Sequence, residues 1–165
     1  MDLHRETRYD ADPAAVYAML TDEVFLTRWV STGAALSYSV TVTPTSNGGA
    51  NTRTQQSLPA RVPDFMTKLV GESIDLDQSI DWGPAGADGS RTGQISIDVA
   101  KAPVTMRGTM TLVPDGTGTR QVVEVVIKAS VPIIGKKIEE AAAPAVRNAL
   151  ELQERLGQEW LASRG

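Results

Sequence analysis

GKKIEEAAAPAVRNALELQERLGQEWLAS, residues 135–163, is the stretch that decides the architecture. Ile138, Ala142, Ala145, Ala149, Leu152, Leu156 and Trp160 recur in steps of three and four, which keeps them on one face of a helix. A helix of roughly 29 residues runs about 43 Å. The first half of its stripe is small. Ala141, Ala142, Ala143, Ala145 and Ala149 stand where a filled core would use Leu or Ile. An alanine floor opposite a sheet leaves room for a ligand, but it equally suits close helix–sheet packing. Pro144 removes one i→i−4 hydrogen bond and crowds the Glu140 carbonyl, so a kink is expected near Ala141–Pro144.

Upstream of this helix the period changes to two. Val123, Val125, Ile127, Ala129 and Val131 alternate behind the turn Asp115-Gly116-Thr117-Gly118, and Val104, Met106, Gly108, Met110 and Leu112 precede it. Further strands are read at Ile95–Val99, Ile74–Trp82, 50–58 (polar) and Leu36–Val42, with Asn47-Gly48-Gly49 as a turn. Between 58 and 71, Asp64 and the spacing of Phe65, Met66, Leu69 and Val70 predict a short helix at a sheet end, as a lid or as a plug. Residues 2–9 are extended. Asp12 as N-cap and Pro13 at the first helical position open a helix with Val16, Tyr17, Met19 and Leu20 as its apolar face. A second helix covers Glu23–Val30, buries Phe25, Leu26 and Trp29, and ends at Gly33. The class is α+β: a curved antiparallel sheet of six to seven strands wrapped around the long C-terminal helix.

Composition narrows the function. With 165 residues, a single domain spanning 1–165 is expected. The net charge of −4 and the absence of any basic, aromatic-interleaved cluster disfavour nucleic acid. No cysteine is present, which removes disulfides, thiolate metal sites and cysteine nucleophiles. No leader pattern opens the chain and no apolar run reaches membrane-span length, so a cytoplasmic protein without stable membrane insertion is expected.

The element order, the entry Tyr9-Asp10-Ala11-Asp12-Pro13-Ala14-Ala15-Val16-Tyr17 and the C-terminal helix resemble the START/Bet v 1-like helix-grip superfamily, which includes polyketide cyclase-like and lipid-transfer proteins. Three stretches resemble an actinobacterial branch of it known only as a domain of unknown function: 58–71, Asp81-Trp82-Gly83-Pro84 and Val131-Pro132-Ile133-Ile134-Gly135-Lys136-Lys137-Ile138-Glu139. The resemblance implies a cavity between sheet and long helix that binds a hydrophobic small molecule such as a lipid, polyketide or isoprenoid. It leaves ligand and chemistry open.

Candidates for lining such a cavity are mostly apolar. Met66, Met106 and Met110 are polarisable and adaptable, and Gly108 removes volume between the last two. Phe65 on the short helix, and Trp82, Val125 and Ile127 on the sheet, complete the walls. Ile138, Ala142, Ala145 and Ala149 supply the helix side. Tyr9, Tyr38, Gln78 and Arg5 are the few polar groups able to orient a ligand, although the alternation of 2–9 leaves its inward face undecided. Filling the space by Ala145→Leu or Gly108→Val is expected to abolish binding and spare the fold.

Catalytic and metal constellations are poorly supplied. His4 stands alone without metal-ligand spacing, and no serine sits in a Gly-x-Ser-x-Gly turn. Asp75, Asp77 and Asp81 share one strand face, but Ile74, Leu76, Ile80 and Trp82 claim the interior and leave the carboxylates in water. No catalytic residue, metal site or cofactor is therefore assigned. Three readings stay open: a non-catalytic binder or carrier, a cyclase- or hydrolase-type enzyme using the same cavity, and an interaction protein with a filled core. The last would form a homodimer through the polar strand 50–58 or the outer helix.

Overall fold

A computed structural model describes residues 1–164. They form β1 (Asp2–Tyr9), α1 (Pro13–Leu20), α2 (Glu23–Thr32), β2 (Ser37–Pro44), β3 (Ala50–Pro59), α3 (Asp64–Val70), β4 (Ser73–Trp82), β5 (Arg91–Val99), β6 (Val104–Asp115), β7 (Gly118–Ala129) and α4 (Gly135–Arg164). One open, curved antiparallel sheet holds all seven strands in the order β1-β7-β6-β5-β4-β3-β2. From β2 to β7 the chain is a meander. α1 and α2 carry it from one sheet edge to the other, and α4 lies on the concave face. The fold is α+β, as the pattern of residues predicts.

Local chemistry explains the starts. The Asp12 carboxylate accepts from the Ala15 amide at 2.9 Å with Pro13 behind it, a cap worth about 1 kcal/mol. Asp22 caps α2 through the amides of Val24 and Phe25. At the end of α2, Gly33 holds φ −72, and the left-handed conformation falls on Ala34 at φ 66.

The register defines inward rows across the sheet. Val42, Thr52, Ile80, Ile95, Gly108, Val125 and Leu3 form one; Val40, Thr54, Gln78, Ile97, Met106 and Ile127 form the next. On β1 the inward side is Leu3, Arg5, Thr7 and Tyr9, which settles the face the sequence left undecided.

Two separate clusters make the core. The larger joins α1, α2 and α4 from Ala142 onward to the sheet. Phe25 and Trp160 meet edge-on at 5.5 Å, Tyr17 and Trp82 at 5.6 Å, and Trp29 Nε1 donates to the Ala149 carbonyl at 3.1 Å. The smaller joins Met66 of α3, Val104 of β6 and Ile138 of α4.

α4 differs from expectation in its rotation. Its buried side runs through Ala143, Gln153, Leu156, Gly157 and Trp160, and Ala145 is exposed. The cause is Gly157, whose missing Cβ leaves space for the Tyr9 ring and the Met19 methyl. Centring the contact on Gln153 and Gly157 turns Ala145 about 100° away. Pro144 is accommodated without interrupting α4. It sits on the exposed side of the helix.

Candidate functional site

Burial along β4 locates the site. Its C-terminal end alternates, with Ile80 and Trp82 buried and Asp81 exposed. From Ser73 to Ser79 the alternation vanishes and both faces are half-covered. The inward side chains there are Ile74, Leu76 and Gln78, aligned with Leu58, Gln56 and Thr54 of β3 and flanked by Ile97 and Val99 of β5. Of these, the apolar side chains Leu58, Ile74 and Leu76 face the helix layer without joining either core cluster.

This part of the inner face runs from the α3 end of the sheet to the tryptophan-rich cluster. Its apolar walls carry a neutral polar row. Thr54 Oγ1 is buried without a hydrogen-bond partner among the described residues, and Gln56 and Gln78 stand on either side of it. Tyr38, exposed on edge strand β2, shares the row of Gln56 and Leu76. No charged residue occupies these inward positions. An open groove of about 540 Å³ at the same sheet end is lined mostly from the outer face, by Ser37, Ser39, Gln55, Ser57, Asp75 and Asp77, with Tyr38, Gln56 and Leu76 reaching it from the inner face.

A second polar group lies under the C-terminal half of α4. Arg5 pairs with Glu154, approaches Glu151 at 3.7 Å, and Thr7 donates to Glu154 at 3.1 Å. The Tyr9 hydroxyl, Gln121 Oε1 and Gln153 Oε1 are buried and unpartnered among the described residues. Burial pushes the Tyr9 phenol well above its usual range; Glu154 adds to this and Arg5 opposes it. Such a phenol is a poor acid or base near neutrality.

The structure redistributes the residues singled out in the sequence. Gln78 and Met106 share one inward row at the half-covered end, and Tyr38 stands at its edge. Met66 and Ile138 form the plug, Ala142 and Ala149 are partly buried, and Val125 and Ile127 lie in the buried sheet floor. Five placements are corrections. Ala145 points to solvent for the reason given. Phe65 is exposed because Met66 takes the inward side of α3. Trp82 and Met110 belong to the filled end, where the Trp82 ring covers Gly93. Gly108 opens no space: a Cβ there would meet the Glu124 carbonyl at 1.9 Å, so the glycine permits close approach of β6 and β7.

Missed in the sequence were Thr54, Gln56, Leu58 and Val99. The signal existed on β3, because Arg53 occupies the opposite parity and assigns Thr54 and Gln56 to the interior. β3 also has both edges paired, leaving none free for a partner strand. The aspartates lie outward as expected. The Arg53 guanidinium holds the Asp77 carboxyl below the usual range by hydrogen bonding, and Asp81 accepts from Asn51. His4 is exposed beside Glu6 and Glu124. Among the described residues no helix is long and apolar enough to cross a membrane, and no cluster of three or more His, Asp or Glu could hold a metal.

With that geometry established, residues 5–161 match the family model described as protein of unknown function DUF2505. The chain belongs to this family. An uncharacterized protein of Mycobacterium tuberculosis is 26% identical over 104 residues, 62% of this chain, and the match spans 59% of that relative's length. Among solved structures, a Thermus thermophilus protein superposes over 100% of this chain and 99% of its own at TM-score 0.66 and 16% identity. A START superfamily protein from Mycobacterium smegmatis covers 96% and 98% at TM-score 0.59 and 10% identity. A STAR-related lipid transfer protein from Xanthomonas axonopodis covers 94% and 85% at TM-score 0.55 and 16% identity. At these identities the likeness is one of fold, and the fold of this DUF2505 protein is the START/Bet v 1-like helix grip.

Proposed function

We propose that this DUF2505 protein is a non-catalytic binder or carrier of a hydrophobic small molecule. The ligand sits between the inner face of β3–β5, α3 and the N-terminal half of α4. One observation carries this: Leu58, Ile74 and Leu76 face inward and belong to no core. The neighbouring polar row refines the ligand. Thr54, Gln56 and Gln78 can satisfy a hydroxyl or carbonyl, and no cation stands beside them to pair with a carboxylate or phosphate. An apolar body with an uncharged hydrogen-bonding group fits, the usual pairing in small-molecule sites. The lipid-transfer neighbour is consistent with this reading.

The titratable groups that an enzyme would need are elsewhere. Arg5 and Glu154 neutralise one another, and the Tyr9 hydroxyl is sealed against Gly157. They read as packing for α4.

Native mass spectrometry of the protein purified from its host tests the proposal. An adduct of a few hundred daltons, lost on denaturation and absent from Leu76→Trp, is expected. A bare mass that persists after incubation with a lipid extract and with neutral sterols or isoprenols would reject it.

A further inference from the structure

All five lysines of the chain gather at one end of the molecule. Lys68 lies on α3, Lys101 in the β5–β6 turn, Lys128 near the end of β7, and Lys136 and Lys137 in the first turn of α4. These segments are tied together by the Met66–Val104–Ile138 cluster and by the Ser130 amide donating to the Pro103 carbonyl at 2.9 Å. Every one of the five is exposed, and none forms an ion pair among the described residues, although arginines elsewhere pair repeatedly. Arg61 adds a sixth positive charge. Asp64, Glu72, Glu139 and Glu140 lie on the same segments and Asp75 and Asp98 at the adjoining strand ends, Glu139 pairing with the N-terminus and Asp98 with Arg107. The five lysines thus stand without carboxylate partners among the described residues, at one end of a chain of net charge −4.

Two large apolar side chains protrude among these lysines. Ile133, fully exposed, precedes α4, and Phe65 stands exposed on α3. Their chain neighbours Ile134 and Met66 both pack in the small cluster, which places the two protrusions on the same end. Local stability explains none of this. Ile133 is β-branched yet held at φ 73, a conformation such residues avoid. Lys136 and Lys137 sit at the positive end of the α4 dipole, where carboxylates would stabilise. Local rules broken together mark a surface kept for another purpose.

We propose that this end docks on an anionic lipid bilayer, with the lysines at headgroup level and Phe65 and Ile133 entering the acyl boundary. The proposal stands independently of what the cavity holds. A bilayer fits better than an acidic protein because the two apolar side chains stand singly on different elements. A protein partner needs a continuous, well-packed patch of about 800 Å². Basic side chains around isolated apolar anchors match a soft, negatively charged interface. Docking is peripheral and needs no membrane-spanning segment.

The full chain would be sedimented with vesicles of phosphatidylcholine alone and with roughly 30% phosphatidylglycerol added, an anionic surface of the kind that attracts basic segments. Binding only to the anionic vesicles, weakened by salt, is expected. Each lysine changed to Gln should weaken partitioning about fivefold, and Ile133→Asp about tenfold or more. All these positions are exposed, so the variants should keep the wild-type circular dichroism. Absence of binding to the anionic vesicles at low ionic strength overturns the proposal. So does undiminished binding of Lys136→Glu/Lys137→Glu. Retention on immobilised polyglutamate without vesicle binding would assign the surface to an acidic protein and also overturn it.

Discussion

Leu76 and Ile80 lie on the same face of β4, four residues apart, and differ only in which part of the interior they meet. Ile80 is 6% exposed inside the larger cluster. Leu76 is half-covered and belongs to neither cluster. Replacing each by Trp therefore measures free space without any knowledge of a ligand. At Ile80 the indole must displace packed neighbours such as Gly93, whose Cβ position already lies 2.6 Å from Ile80 Cγ2. Overpacking of this kind costs about 1–3 kcal/mol. For a chain of this size that lowers Tm by roughly 2–4 °C per kcal/mol, or about 2–12 °C in all. At Leu76 the added volume enters the space between the clusters and buries further apolar surface, so a change within about 0.5 kcal/mol is expected. Thermal and urea unfolding followed by circular dichroism would read both. Equal, large losses at the two positions would mean that the core is continuous, and the cavity argument would fail with it.

Two other substitutions probe the geometry. Gly108→Ala should destabilise by about 2–4 kcal/mol, because its Cβ would meet the Glu124 carbonyl oxygen at 1.9 Å and Val125 Cα at 2.7 Å; an urea midpoint at the wild-type value would restore the idea that this glycine merely leaves room. Tyr9→Phe removes a buried hydroxyl that has no partner, so stability should hold or rise by up to about 1 kcal/mol. The same residue sets an alkaline limit. Its phenol is held protonated in the fold above its unfolded value, so its contribution is complete below about pH 10 and lost as the unfolded chain ionises above that. Wild type should lose Tm there and the variant should lose less; parallel Tm curves would refute the assignment.

The sequence supported the element order because the punctuation is local. Asp12-Pro13, Asp22, Asn47-Gly48-Gly49 and the 3.6-residue recurrence in 135–163 each act within a few residues of themselves. What escaped it depends on partners distant in the chain. The rotation of α4 is set by Tyr9 and Met19 against Gly157, contacts that no periodicity count contains. Gly108 carried two meanings, empty space or close approach, and only the position of the β7 backbone separates them. The inward polar row was passed over because β3 is polar on both faces. Hydrophobicity was silent there, and only the parity of Arg53 spoke.

The alanines of α4 acquire a different explanation from the one first attached to them. α4 is clamped at both ends, by Ile138 in the small cluster and by Leu156 and Trp160 in the large one. Between the clamps, Ala143 is buried in the large cluster, while Ala142, Val146 and Ala149 touch the core only partly. A run of Leu or Ile there would close the gap and fuse the two clusters into one. Small residues let the helix span the space while its ends supply the stability. Under the proposed function, two cores and a bridge, rather than any single lining residue, would keep that part of the interior open. The small cluster is the weaker clamp, resting on the seven residues of α3 through Met66. Local opening of low cost falls where few buried contacts hold an element, which makes α3 the part of the wall best suited to admit a ligand.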